Sequence, residues 1–346
     1  MREQLEWHAG SLGRLDGLWV RRGSSVVPAL MLMVAACSQG RGAGRRAYAA
    51  DSATPKQPER QAPGPFAPID WSRVGEALGK PGTLQPDGAY KAGLPRGDLH
   101  VTAGEVAVKP ALALGSWVAF KQVSDTEAML MGDLVLLESE VGPVLGKLQE
   151  QGIEQTALHN HLLHETPHVM YMHIGGRGAP ARLAAAVHAA LALTRTPFGA
   201  PAAAPAASLG IDTAQIGQIL GHHGRVNGGV LQVGVPRAEQ ITVDGIEIPP
   251  SMGLATAINF QPTGGGNAAI TGDFVLLATE VNPVIRALRS SGIAITALHS
   301  HMLTESPRLY FMHYWANDDA LKLARGLRAA LDRMNVKKPI GTGRTP

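Results

Sequence analysis

Residues 156–173 read Thr-Ala-Leu-His-Asn-His-Leu-Leu-His-Glu-Thr-Pro-His-Val-Met-Tyr-Met-His, and residues 296–313 read Thr-Ala-Leu-His-Ser-His-Met-Leu-Thr-Glu-Ser-Pro-Arg-Leu-Tyr-Phe-Met-His. Eight of the 13 histidines in the chain fall in these two windows, which makes them the first place to look for chemistry. A constant offset of 140 maps His159, His161, Glu165, Pro167 and His173 onto His299, His301, Glu305, Pro307 and His313. Working outward, 132–173 and 272–313 align without a gap at 22 identities in 42 positions, far above chance for unrelated segments. Ile69-Asp70 recurs as Ile211-Asp212, Pro95-Arg96 as Pro236-Arg237, and Phe120 as Phe260. The chain therefore carries one unit twice, over 69–195 and 211–338. A Pro/Ala linker at 196–210 joins the copies, and 339–346 is a short tail.

Each copy has the same order of signals. An amphipathic stretch at 71–78, or 213–220, predicts a helix. Strands with turn residues between them follow; in the second copy they lie at 230–235, 241–243, 246–248 and 255–260, with Asp244-Gly245 as a turn. A buried strand is expected at 133–138 and 273–278. Pro143 and Pro283 are read as first-turn prolines of helices at 144–151 and 284–290, closed by Gly152 and Gly292. The histidine hairpin comes next, then an Ala/Leu-rich helix at 180–193 or 318–334. Strands, helix, hairpin and helix in that order predict an α+β fold: two tandem homologous domains, each an antiparallel-rich sheet with a helix, a His-rich β-hairpin and a C-terminal helix.

Composition narrows the function. The chain is 45% apolar and 17% charged over 346 residues, enough to build sizeable cores. Its net charge of +3 is misleading, because residues 1–50 alone carry a net +4. The repeats present no basic face, so nucleic acid is not an expected partner. The single cysteine, Cys37, excludes an internal disulfide and a Cys-rich zinc cage. Its surroundings account for it. Arg21-Arg22 precede an apolar run at 26–36, and Val-Ala-Ala-Cys spans 34–37. Residues 1–36 read as a signal peptide, and Cys37 as the lipidated residue of a bacterial lipobox. Residues 37–68 read as a flexible tether. The expected location is beyond the cytoplasmic membrane, periplasmic or cell-surface, with the membrane a partner through the N-terminal lipid.

The Thr-Ala-Leu-His-Asn-His block with Glu165, Pro167 and His173, the Gly-Asp-Leu-Val-Leu-Leu run at 132–137 and the Cys37 lipobox together resemble the LppY/LpqO family, bacterial secreted or lipoprotein-type proteins built on a domain of unknown function. The resemblance covers 69–338 and implies an extracytoplasmic location; it brings no established activity. His164 and His168 belong to the first copy alone and stand apart from the shared set.

Residues i and i+2 of a strand share a face, so His159 and His161 are expected side by side, as are His299 and His301. Glu165 and Glu305 would lie in the turn. A turn centred near Thr166-Pro167 would bring His173 opposite His159 or His161. The candidate metal ligands are accordingly His159, His161, Glu165 and His173, with His299, His301, Glu305 and His313. Such a set suits a divalent transition metal of the zinc, iron, manganese or copper kind. Metal-assisted hydrolysis or oxidation is the chemistry it would support if the protein is an enzyme. Two alternatives stand beside this reading. One is a metal-free polar pocket that takes a small-molecule or envelope ligand. The other is a non-catalytic envelope-interaction module with structural histidines. Among the other repeated polar residues, Glu140 is read as a helix-capping group. Arg96 and Arg237 are read as surface or turn arginines rather than carboxylate clamps, and Asp133 and Asp273 as weaker repeated polar positions that flank the strand before the helix.

Overall fold

The computed structural model describes residues 66–199 and 209–338. The expected signal peptide, Cys37, nearly all of the expected tether, part of the linker and the tail lie outside the described residues. The first repeat runs α1 (Trp71–Leu78), β1 (Thr83–Leu84), β2 (Tyr90–Pro95), β3 (Val101–Ala103), β4 (Val106–Val108), α2 (Pro110–Ala113), β5 (Gly115–Gln122), β6 (Ala128–Leu137), α3 (Glu138–Glu150), β7 (Glu154–His159), β8 (Glu165–Thr166), β9 (Val169–Gly178) and α4 (Pro180–Leu191). The second runs α5 (Thr213–Leu220), β10 (Arg225–Asn227), β11 (Val230–Pro236), β12 (Thr242–Val243), β13 (Ile246–Glu247), a 3-10 turn (Pro250–Met252), β14 (Ala255–Gly264), β15 (Asn267–Leu276), α6 (Ala278–Ser290), β16 (Ala294–His299), β17 (Glu305–Ser306), β18 (Tyr310–Asp319) and α7 (Ala320–Leu331). The fold is α+β in two similar halves. No helix among the described residues is long and apolar enough to cross a membrane.

Each half is built on a six-stranded antiparallel sheet, ordered β1-β2-β5-β6-β9-β7 and β10-β11-β14-β15-β18-β16. Alternation along the strands gives each sheet two different faces. Leu130, Leu134 and Leu136 of β6 join Met172 and Ile174 of β9 beneath α1, α3 and α4, where they pack with Val74, Leu148, Leu183 and Val187. The second half repeats this with Ile270, Phe274, Leu276 and Met312 under α5, α6 and α7.

The opposite faces pack against the other repeat. Val135 and Tyr171 share one apolar cluster with Leu99, Val101, Leu112 and Leu162 of their own half and Val230 and Ala269 of the other. Ala119 and Met129 share another with Ile241, Ile248, Met252, Val275 and Phe311. Burying a side chain of this size contributes roughly 1.5–3 kcal/mol, so the seam is a true core. Polar groups fasten it as well. Gln261 Nε2 donates to Ala107 O at 2.7 Å, Lys109 N donates to Gln261 Oε1 at 2.9 Å, and Thr296 Oγ1 donates to His161 O at 2.6 Å. The two repeats lie within one compact unit.

Local rules explain most element ends. Asp70 and Asp212 cap α1 and α5, and Gly79 and Gly221 close them with φ of 76° and 74°. One reading needs correction. The prolines are not in the first turn: α3 and α6 begin at Glu138 and Ala278, with Pro143 and Pro283 inside them. The Glu140 carboxylate accepts from Leu137 N at 2.9 Å, and Glu280 from Leu277 N at 2.7 Å. These contacts satisfy a free N–H and start each helix ahead of its proline.

Candidate metal centre

The six shared histidines meet at the seam. His159 and His299 stack across it with ring centroids 3.5 Å apart. His161 lies 3.7 Å from His313, and His173 lies 3.6 Å from His301. The offset of 140 leaves the first pair unchanged and exchanges the other two, so the cluster has a pseudo-two-fold axis passing between His159 and His299. His161 also rests on Tyr171 at 3.3 Å, as His301 rests on Phe311 at 3.4 Å.

The hairpin that delivers them differs from its expected form. β7 ends at His159, so His161 lies in the bend beyond the strand. His173 pairs with Ala157, and His159 with Tyr171, across a register shift between Gln155 and Ala157. Within the first repeat the His159 ring lies 5.1 Å from those of His161 and His173, and the closest ring contacts are those between repeats.

The glutamates are placed elsewhere. Glu165 lies in β8, where it pairs with Ala103. Its carboxylate accepts from Val169 N at 3.3 Å and faces His168 Nδ1 at 2.9 Å. Glu305 accepts from Leu309 N at 3.1 Å and from Arg308 at 3.2 Å. Each glutamate pins its own loop. His168 is the first repeat's substitute for Arg308, which accounts for one of the two private histidines. The other, His164, has φ 60° in an exposed turn.

The carboxylates at the cluster are Asp133 and Asp273, and not the expected Glu165 and Glu305. The aspartates face the same seam because they are the strand partners of His173 and His313. Asp133 Oδ2 is 3.8 Å from the Nε2 atoms of both His161 and His173. Asp273 Oδ2 is 3.2 Å from His301 Nε2. One signal could have found them: each is the sole acidic residue within an apolar strand, in both copies. Three groups have ligand atoms all within 4.8 Å of one another: Asp273 with His299, His301 and His313; His159 with His173 and His299; and His159 with His161 and His313. Glu165 and Glu305 belong to none of them.

The environment opposes charge on these side chains. Burial lowers the proton affinity of all six imidazoles, and at His159, His161, His173 and His301 neighbouring imidazoles lower it further. Burial, and then Asp273, push the Asp133 carboxyl up to about 8. Burial also raises Asp273. Neutral imidazole is the metal-binding form. His313 has the hydrogen bonding of a ligand: Nδ1–H donates to Gly272 O at 2.7 Å, leaving the Nε2 lone pair directed inward. Among the described residues, seven buried polar atoms of the cluster have no hydrogen-bond partner: Asp133 Oδ1, His159 Nδ1, His161 Nε2, His173 Nε2, Asp273 Oδ1, His299 Nε2 and His301 Nε2.

Arg96 and Arg237 are clamps after all, and not surface groups. Arg96 is fully buried and grips Glu140 at 2.7 and 3.2 Å, Asp98 at 2.8 Å and Val135 O at 2.8 Å. Arg237 does the same with Glu280, Glu239 and Val275 O. Each clamp fixes the strand carrying the aspartate to the helix that follows it, so Glu140 caps its helix and serves the clamp together.

A family model described as Domain of Unknown Function (DUF1259) matches residues 72–193 and again 214–333. No curated protein matches the chain. Among solved structures, a trimeric bacterial microcompartment shell protein, PduB, is 13% identical over 73% of this chain and 93% of its own, with a TM-score of 0.18. EtuB from Clostridium kluyveri is 10% identical over 72% and 90%, with a TM-score of 0.17. Scores this low carry no argument about fold or function.

Proposed function

The chain belongs to the DUF1259 family in both of its halves, and on that footing we propose that it is a metal-binding protein whose two repeats jointly build one centre for a divalent transition metal. The observation that supports this most strongly is the set of seven buried polar atoms without partners. A buried polar atom left without a partner costs roughly 1–3 kcal/mol, so a cluster of them calls for a bound partner. A cation held by these nitrogens and oxygens removes that penalty and reverses the electrostatics that now raise the aspartates. Imidazoles with carboxylate suit zinc, iron, manganese or copper. The test is elemental analysis of protein expressed in metal-replete medium, with a His159→Ala/His299→Ala double variant as the control. At least one equivalent of metal in the wild type, lost in the variant while its circular dichroism is kept, is expected. Wild-type protein without stoichiometric metal overturns the reading.

We place the chain with the LppY/LpqO-type lipoproteins, tethered through Cys37 outside the cytoplasmic membrane. The support is the Arg21-Arg22 pair, the apolar run at 26–36 and the Val-Ala-Ala-Cys box. Cys37→Ala is expected to move the protein out of the membrane fraction; unchanged partitioning refutes the tether.

A further inference from the structure

We infer that the centre holds two metal ions, one for each repeat, and that the second-repeat position fills first. This rests on the metal reading above and adds number, ligands and order to it. The count of donors leads to it. Six imidazoles and two carboxylates converge on the seam. A four-coordinate ion uses four of them, and an octahedral ion six at most, so one ion leaves buried donors unused.

Of the three groups of mutually close donors, two draw on both repeats and one lies wholly within the second. Asp273, His299, His301 and His313 form a complete set of three imidazoles and a carboxylate, with all four ligand atoms within 4.8 Å of one another. The offset of 140 turns them into Asp133, His159, His161 and His173. In that set Asp133 lies 3.8 Å from two imidazole nitrogens, and the His159 ring lies 5.1 Å from the rings of both His161 and His173. The second-repeat set is the more compact, since its closest carboxylate–imidazole approach is 3.2 Å. Less rearrangement is needed to close it on an ion, which sets the order of filling. The sets touch where His159 Nε2 and His313 Nε2 come within 3.3 Å.

The first repeat has more histidines, but His164 and His168 are exposed and take no part in either set. Histidine number therefore does not rank the two sites; compactness does.

The experiment is titration of the metal-free full chain in detergent with Co2+, followed by visible absorption and by equilibrium dialysis with elemental analysis. Two equivalents bound in two steps are expected. Asp273→Asn is expected to abolish the first step and Asp133→Asn the second, each variant keeping one ion. A single wild-type equivalent, weakened alike by either variant, overturns the two-ion inference and leaves the metal reading standing. No Co2+ binding overturns both. If a variant fails to fold, the wild-type stoichiometry decides alone.

Discussion

His313 Nε2 lies 3.3 Å from His159 Nε2, joining two imidazoles 154 residues apart, one from each repeat. At this spacing the donor sets of the two repeats touch, so ions held by them would be close neighbours. The Nδ1 of His313 is committed to Gly272 O, and only its Nε2 is free to face its partner. Duplication has therefore done more than copy a site. Each repeat supplies half of a chamber that neither encloses alone.

Removing the metal is expected to destabilise the whole body. A ligand present at 100 times its Kd stabilises by about 2.7 kcal/mol, and a body of this size shifts by about 2–4 °C per kcal/mol, so a strong chelator should lower Tm by roughly 5–10 °C. Differential scanning calorimetry before and after chelation and dialysis measures it. Identical transitions would show that nothing bound at the seam contributes to the fold.

The repeat, the α+β class and the helices at 71–78 and 213–220 were all legible in the sequence, because each rests on local period or internal identity. The seam was not. Gly-Asp-Leu-Val-Leu-Leu reads as a strand apolar on both faces, and nothing local says that one face meets a second sheet. Asp133 stands among apolar neighbours and no local pattern marks it as a ligand, although an isolated carboxylate in such a strand needs a partner. Arg96 reads as a surface or turn arginine, since Glu140, 44 residues away, joins Asp98 around it only in the fold. Glu165 was given to the site on spacing alone, and a strand pairing with Ala103 turns it elsewhere.

That last contrast is directly testable. Glu165 holds Val169 N and His168 but lies in no candidate ligand group. Glu165→Gln is expected to leave metal content unchanged while costing about 1–3 kcal/mol of stability through its weakened loop contacts. Elemental analysis and urea unfolding give the two numbers. Loss of metal in a folded Glu165→Gln protein would return this residue to the ligand set.

Gly272 should tolerate no side chain. A Cβ there would fall 1.9 Å from Ala257 O and 2.8 Å from the Tyr314 hydroxyl, with backbone as the nearer obstacle. The same strand position in the first repeat, Gly132, meets Trp117 O at 2.9 Å. Overpacking costs about 1–3 kcal/mol, more where backbone must shift. Gly272→Ala is expected to lose at least about 3 kcal/mol, and Gly132→Ala less. Because Gly272 O holds His313, the first variant is also expected to weaken metal binding. Equal urea midpoints for the two variants would contradict this account.

Lys91 provides a pH test away from the histidines. Its Nζ lies 4.0 Å from the Trp117 ring centroid and donates to Ser251 O at 2.7 Å across the seam. Burial lowers its pKa to about 8, with Arg225 pushing the same way and Asp87 and Asp133 opposing. The folded value lies below the unfolded one, so the unfolded chain binds the extra proton between about pH 8 and the ordinary lysine value near 10.4. Stability therefore rises with pH across that window, and below it the folded state carries the full penalty of a buried ammonium, roughly 3 kcal/mol. Buried Tyr171 and Tyr314 are held protonated in the fold, so they add an opposing fall only near and above pH 10. Subtracting a Lys91→Met variant isolates the lysine. Urea unfolding at pH 7, 8, 9 and 9.5 should show the wild type gaining on the variant as pH rises. A constant difference would mean that Lys91 titrates as a solvated lysine and that the seam around it is open to water.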